Sequence, residues 1–172
     1  MRYEGTVYRP PSEAGSLIIQ LTIGCARNTC TFCNMYKDKK FRIRPLEEVA
    51  EDLEMARKYY SHIKVRRIFL ADGDALIVKT KDLLYILDKC HEYFPEVERI
   101  SVYGAPKDIL GKTPEELKQL KDAGLDMVYM GLESGDDEVL KEVKKGVTSE
   151  EMIAAGIKVR EAGMILSMTV IS

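Results

Sequence analysis

The chain has no tryptophan, which decides nothing, and it has only two histidines and four cysteines among 172 residues. It also lacks an excess of charge. Lys and Arg total 26 against 28 Asp and Glu, and a net charge of -2 gives no bulk signal for nucleic-acid or membrane binding. No apolar run approaches the length of a bilayer span, and the opening MRYEGTVYRPP has no hydrophobic signal region, so the expected location is cytoplasmic. There is no short-period repeat and no low-complexity segment. The cysteines are too few and too crowded for a disulfide framework, because three of the four fall within residues 25–33. In a reducing compartment such a cluster holds a metal or does redox chemistry. What remains is a 45% hydrophobic chain of one-domain length, enough to fill a core.

Residues 1–16, with Pro10, Pro11 and Gly15, read as an extended leader, and 17–172 as one core domain. The run LIIQLTI (17–23) is a buried strand ended by Gly24, followed over 24–44 by a loop that holds three cysteines and a basic stretch. Pro45 opens a helix with apolar positions Leu46, Val49, Ala50, Leu53 and Ala56. The alternation continues with strands at 66–71, 99–103, 126–132 and 165–171. Between them lie helices at 81–94, from Thr113 to Gly124, at 136–145, and from Thr148 to Gly163. Thr113 with Glu116, and Thr148 with Glu151, have capping-box spacing. Strands alternating with helices at roughly 30 to 35 residues are βαβ units. Right-handed crossovers then make the sheet parallel, with helices outside. A partial or complete β/α barrel and a doubly wound sheet both satisfy this pattern. The final MILSMTVIS reads as a core strand with no turn after it, so the domain is expected to be incomplete at this end.

In parallel α/β folds the active site lies at the carboxyl ends of the strands. Here strand one runs into Gly24 and Cys25, strand two into Asp72, Gly73 and Asp74, strand three into Tyr103 and Gly104, and strand four into Gly131, Glu133 and Ser134. Asp136 and Asp137 are better read as acids that cap the next helix. Asp72, Asp74 and Glu133 directly follow buried apolar runs and are candidates for function.

The cysteine segment is Gly24-Cys25-Ala26-Arg27-Asn28-Thr29-Cys30-Thr31-Phe32-Cys33-Asn34-Met35-Tyr36. Three thiolates on one loop can wrap a cubane iron–sulfur cluster and leave one iron without a protein ligand. They can equally join a fourth ligand around zinc, drawn from Cys90, His62 or His91. Cys90 falls at an apolar helix position and reads as a core residue, while neither histidine has a partner at ligand spacing. Spacing alone leaves zinc and iron–sulfur open.

Three cysteines after the first strand of an α/β unit, with an aromatic before the last, resemble the radical S-adenosylmethionine (SAM) superfamily. IGCARNTCTFCNMYK and the later GLESGDDEVLKEVKKG are similar to the subgroup of methylthiotransferases and oxygen-independent coproporphyrinogen oxidase, over residues 17–172. The resemblance implies a partial β/α barrel with about five of six βα units. It implies an enzyme in which Cys25, Cys30 and Cys33 ligate a 4Fe-4S cluster whose open iron takes SAM for reductive cleavage to a 5′-deoxyadenosyl radical. By position, Phe32 matches the aromatic near the adenine. Gly73 and Asp74, with Asp72, stand where the family has its glycine-glycine-glutamate motif for the methionine amino group. Glu133 and Ser134 match a segment that contacts ribose or carboxylate, and Tyr103 would face the same cavity. The chain departs from the family pattern in three ways: four residues rather than three separate Cys25 from Cys30, an aspartate replaces the motif glutamate, and the sixth strand is missing.

Arg27, Lys37, Lys39, Lys40, Arg42 and Arg44 bring positive charge to the cysteine loop, most of it read as solvated. The sharper expectation is a docking site for an acidic electron donor such as a flavodoxin or ferredoxin. Contact with tRNA is a weak reading without interleaved aromatics. The rivals to radical chemistry are a zinc-stabilised structural domain, an electron-transfer protein and a fold that has lost activity.

Overall fold

β-Branched and aromatic residues in short runs bounded by glycine or helix caps become strands, and runs with 3.6-residue periodicity become helices. The structure, a computed structural model, describes residues 3, 10–24, 41–71, 75–133 and 148–170. Its strands are β1 (Leu17–Gln20), β2 (Thr22–Ile23), β3 (Arg42–Ile43), β4 (Arg67–Ala71), β5 (Arg99–Tyr103), β6 (Leu125–Glu133) and β7 (Ile165–Val170). Its helices are α1 (Leu46–Tyr59), α2 (Thr80–Tyr93), α3 (Pro106–Leu110), α4 (Pro114–Asp122) and α5 (Ser149–Glu161).

The five main strands form one parallel sheet in the order β1-β4-β5-β6-β7. Each βα unit adds to the same edge, and right-handed crossovers then put every connecting helix on one side. A doubly wound sheet would reverse its growth partway and clothe both faces. The sheet is therefore a partial barrel, which settles the choice that periodicity left open.

The two faces differ in what they bury. Ile68, Leu70, Ile100, Val102 and Val128 point outward into a core shared with Leu53, Leu83, Leu87, Leu117 and Val159 from the helices. The alternate residues point inward, where Phe69, Ala71 and Tyr129 form a second cluster edged by Ile18, Tyr103 and Met127. Both expected capping boxes form. The Thr113 and Thr148 hydroxyls accept from the Glu116 and Glu151 amides, and each glutamate carboxylate accepts in return from its threonine amide. Gly124 (φ 110°) and Gly163 (φ 88°) close α4 and α5 in the left-handed region, where a side chain would be strained.

The structure departs from the sequence reading at several points. The expected first strand breaks at Leu21, whose amide donates to Ala71 and whose carbonyl accepts from Arg44. β2 therefore leaves the main sheet and pairs antiparallel with β3, a strand not expected in the loop (Thr22 opposite Ile43, Ile23 opposite Arg42). α3 was also missed, because five residues opened by a proline carry too little periodicity to register. Within the segment read as an extended leader, Pro11–Glu13 forms a 3-10 turn that folds against the sheet. The expected helix at 136–145 lies outside the described residues.

Candidate active site

A parallel sheet gathers all its carboxyl ends along one edge. Gly24, the Tyr103–Gly104 pair and Glu133 stand on that edge, beside Ala71, after which Asp72 follows directly. Gly24 leaves β2 with φ 77°, a conformation that glycine adopts freely. The β2–β3 ladder ties the start of the cysteine segment to its end, so both flanks sit at the carboxyl end of β1. Cys25, Cys30, Cys33, Phe32, Asp72, Gly73, Asp74 and Ser134 themselves lie outside the described residues. Glu133 is the last residue of β6 and pairs with Val170 after a register shift between Gly131 and Glu133, of the kind a bulge produces at functional strand ends. At Gly104 an added Cβ would come within 2.8 Å of Leu76 Cδ2 and 3.0 Å of Val128 Cγ1, so close packing reserves this strand end for glycine.

Arg44 corrects the reading of the basic loop. It is buried, its Nη1 donates to the Gln20 carbonyl at 2.7 Å, and it pairs with Asp52 Oδ2 of α1 at 2.8 Å. Its backbone amide holds Leu21 as well. A guanidinium held by one carbonyl and by two carboxylates of α1, Asp52 and, at 3.6 Å, Glu48, fastens α1 to the end of β1, its charge met within the fold. Arg42, two residues earlier, is exposed. Arg27, Lys37, Lys39 and Lys40 lie outside the described residues.

Whether the donor set fits a cluster with an open corner depends on the rival fourth ligands, all of which are described. Cys90 is fully buried within α2, and burial pushes its thiol up to about 12, so it stays protonated in the core. His62 lies in the turn between α1 and the amino end of β4. His91 packs beside Gly124, just ahead of the amino end of β6. Both histidines are thus at the opposite edge of the sheet from Gly24. Three cysteines without a reachable fourth side chain among these candidates fit an iron–sulfur cluster with one free iron better than a closed zinc site.

Beside Tyr103, which the sequence reading named, the inner face carries residues that it missed. Tyr103, half-buried at the carboxyl end of β5, meets Phe69 edge-on at 5.0 Å between ring centroids and Tyr129 at 6.2 Å. Tyr129 lies directly opposite Tyr103 in the β5–β6 register. Its hydroxyl donates to Glu13 Oε1 at 2.9 Å, and Glu13 is completely buried. The same carboxylate accepts from Ser101 Oγ at 2.8 Å, from Arg99 Nη2 at 2.9 Å and from Ser16 Oγ. Tyr129 has one hydroxyl hydrogen, committed to Glu13, so in the 2.7 Å contact with Ser12 Oγ the serine must donate. Burial above all, with the Glu13 carboxylate adding to it, holds the Tyr129 phenol above its usual ionisation range and keeps it a donor. One signal in the sequence could have found part of this. Ser101 and Tyr129 are polar residues inside apolar strands, and strand alternation faces both inward.

The fold places this chain in the class of partial β/α barrels with the active edge at the carboxyl ends of the strands. Comparison with known proteins then supplies the family. The pattern of the radical SAM superfamily matches residues 19–172, and the chain belongs to that superfamily, whose members are enzymes that bind a 4Fe-4S cluster and SAM. It is 31% identical over 159 residues to 4′-phospho-dehydrooxetanocin synthase of Priestia megaterium, an alignment covering 82% of this chain and 21% of that protein. Its fold is similar to that of the cobalamin-dependent SAM radical enzyme OxsB, solved with aqua-cobalamin and SAM bound (TM-score 0.73, 23% identity, 90% of this chain, 23% of that one). It is similar too to coproporphyrinogen III oxidase of Escherichia coli, a radical SAM enzyme (TM-score 0.62, 18% identity, 90% of this chain, 36% of that one). The chain thus spans about a fifth to a third of the length of the curated relatives it matches.

Proposed function

We propose that this chain is the core of an enzyme in which Cys25, Cys30 and Cys33 hold a 4Fe-4S cluster and the strand ends beside them hold SAM. When bound, the cluster would supply one electron to the sulfonium, releasing methionine and a 5′-deoxyadenosyl radical for attack on a substrate. The protein's contribution is placement and exclusion of water. The β2–β3 ladder holds the flanks of the cysteine segment at the carboxyl end of β1. Arg44, paired with Asp52, braces that corner against α1. Asp72 and Asp74 offer carboxylates to an ammonium group, and Glu133 offers one to a hydroxyl, all from segments that continue strands of the same sheet. Tyr103, backed edge-on by the buried Phe69, gives the inner wall an aromatic surface against which a planar base can pack.

The observation that carries this reading is the separation of ligands. The three-cysteine segment is rooted at one edge of the sheet, while Cys90, His62 and His91 lie in the core or at the other edge. A zinc-stabilised structural domain closed by a fourth cysteine or a histidine would need one of them. A one-electron donor of the flavodoxin or ferredoxin type belongs to the proposal as the source of the reducing electron, with exposed Arg42 as the described part of its docking surface.

Anaerobic reconstitution with iron and sulfide, followed by dithionite and SAM, tests the proposal by mass spectrometry of 5′-deoxyadenosine. Wild type should form it, and Cys30→Ala should lose the 400 nm chromophore and the product together. An unchanged yield from Cys30→Ala, or a colourless protein holding one zinc, would sink the assignment.

A further inference from the structure

We infer that Glu13 is a positioning residue of the active site, acting through Tyr129 to fix the aromatic wall that rises to the carboxyl edge. The inference rests on the proposed function in one respect, that this edge is where SAM is held. Its structural basis is independent of that. A carboxylate taken completely out of water is strongly unfavourable unless donors replace the lost hydration, and replacement by apolar side chains is often neutral or stabilising. A segment that merely filled the floor of the half barrel would need no charge there, since the inner face already offers an apolar cluster of Phe69 and Ala71 edged by Ile18 and Met127. Instead four donors converge on Glu13 from three separate parts of the chain: Ser16, the β5 pair Arg99 and Ser101, and Tyr129 of β6.

The consequence falls on Tyr129. Its oxygen is gripped from two sides, giving its hydrogen to Glu13 and receiving one from Ser12, so its ring has one orientation. That ring stands edge-on to Phe69 at 6.0 Å and to Tyr103 at 6.2 Å. Tyr103 is the partly open member of the trio and the one at the strand end. Glu13 therefore orients, two contacts away, the side chain best placed to meet a ligand at the edge, as outer partners orient the groups that touch a metal or cofactor.

Because tryptophan is absent, near-UV circular dichroism of this chain reports chiefly its nine tyrosines and four phenylalanines. Glu13→Gln, Glu13→Ala and Tyr129→Phe are compared with wild type in two measurements. The first is near-UV dichroism of the cofactor-free protein, with far-UV dichroism as the check on folding. The second is titration of the reconstituted cluster with SAM, followed by electron paramagnetic resonance. Glutamine keeps one carbonyl for the three donors on Oε1, Tyr129 among them, and turns an amide NH2 toward Ser16, so Glu13→Gln should stay closer to wild type than Glu13→Ala in both. Glu13→Ala and Tyr129→Phe should lose a common part of the near-UV signal and bind SAM about tenfold more weakly. Wild-type affinity in Tyr129→Phe overturns the inference whatever the near-UV signal shows, and that variant decides the matter if Glu13→Ala does not fold. A wild-type cluster that ignores SAM sinks the cofactor reading, and with it the role given to Glu13. A responsive wild type with indifferent variants sinks the inference alone.

Discussion

The two faces of the sheet are built from the same strands, one residue apart, and obey different rules. The outer face is aliphatic and interchangeable in kind: Ile68, Leu70, Ile100, Val102 and Val128 all meet helices that close over them. The inner face places Phe69, Ser101, Tyr103, Met127 and Tyr129 on the same strands and seats a buried carboxylate among them. Fold stability needs volume and apolarity, which the outer face supplies. Orientation needs hydrogen bonds and rings with fixed edges, and the inner face supplies these.

Substitutions on each side can break or sharpen this contrast. A large effect is expected where the outer layer also buries charge. Asp52→Ala leaves the buried Arg44 guanidinium with only the more distant, exposed carboxylate of Glu48 and should cost about 3 kcal/mol in urea denaturation. A loss under about 1 kcal/mol would show that water reaches the pair, and that the outer layer is less closed than its burial implies. Next comes the adjacent pair in β5. Ile100→Ala should cost about 2–5 kcal/mol through the cavity it leaves. Ser101→Ala, which deletes one of four bonds to the Glu13 carboxylate, should cost less, about 1.5–3 kcal/mol. If Ser101 proved as costly as Ile100 by urea denaturation, the division of labour between the faces would collapse.

The smallest effect concerns pH. Burial pushes the Glu96 carboxyl up, but the Arg57 guanidinium, its own backbone amide and that of Val65 outweigh burial and hold it below the ordinary 4.5. A carboxyl whose folded value is depressed adds stability above its unfolded value, and that contribution is lost as pH falls through the folded value. Glu96→Gln should therefore be less stable than wild type at pH 7, and the gap should narrow in acid. A constant gap between urea midpoints at pH 7 and pH 3 would contradict the ion pair with Arg57.

Much of the fold was legible because each element had its own local signal. Four of the five apolar strands lie within a residue of their expected bounds, the first ending at Gln20 instead of Ile23, and both capping boxes closed as the Thr-x-x-Glu spacing implied. Periodicity could not choose a barrel over a doubly wound sheet, since the order of strands depends on which edge each unit joins; the family resemblance implied the partial barrel that the sheet order shows. Arg44 was read with its basic neighbours as solvated, because nothing local to FRIRPLEE announces that Asp52, two helical turns on, is its partner. Glu13 was invisible for a stronger reason. It lies in a proline-rich stretch without periodicity, and its partners become neighbours only through the sheet. Cys90 went the other way: its helix position alone gave the correct reading as core.

The anchoring of Glu13 also constrains the order in which the chain can fold. Its partners Arg99 and Tyr129 are 86 and 116 positions further along. Closing loops of that length is slow, and the pocket that receives the carboxylate does not exist until β5 and β6 are paired. Residues 10–16, ahead of every described strand in the sequence, are thus among the last to find their place, and the floor of the half barrel is laid after its walls.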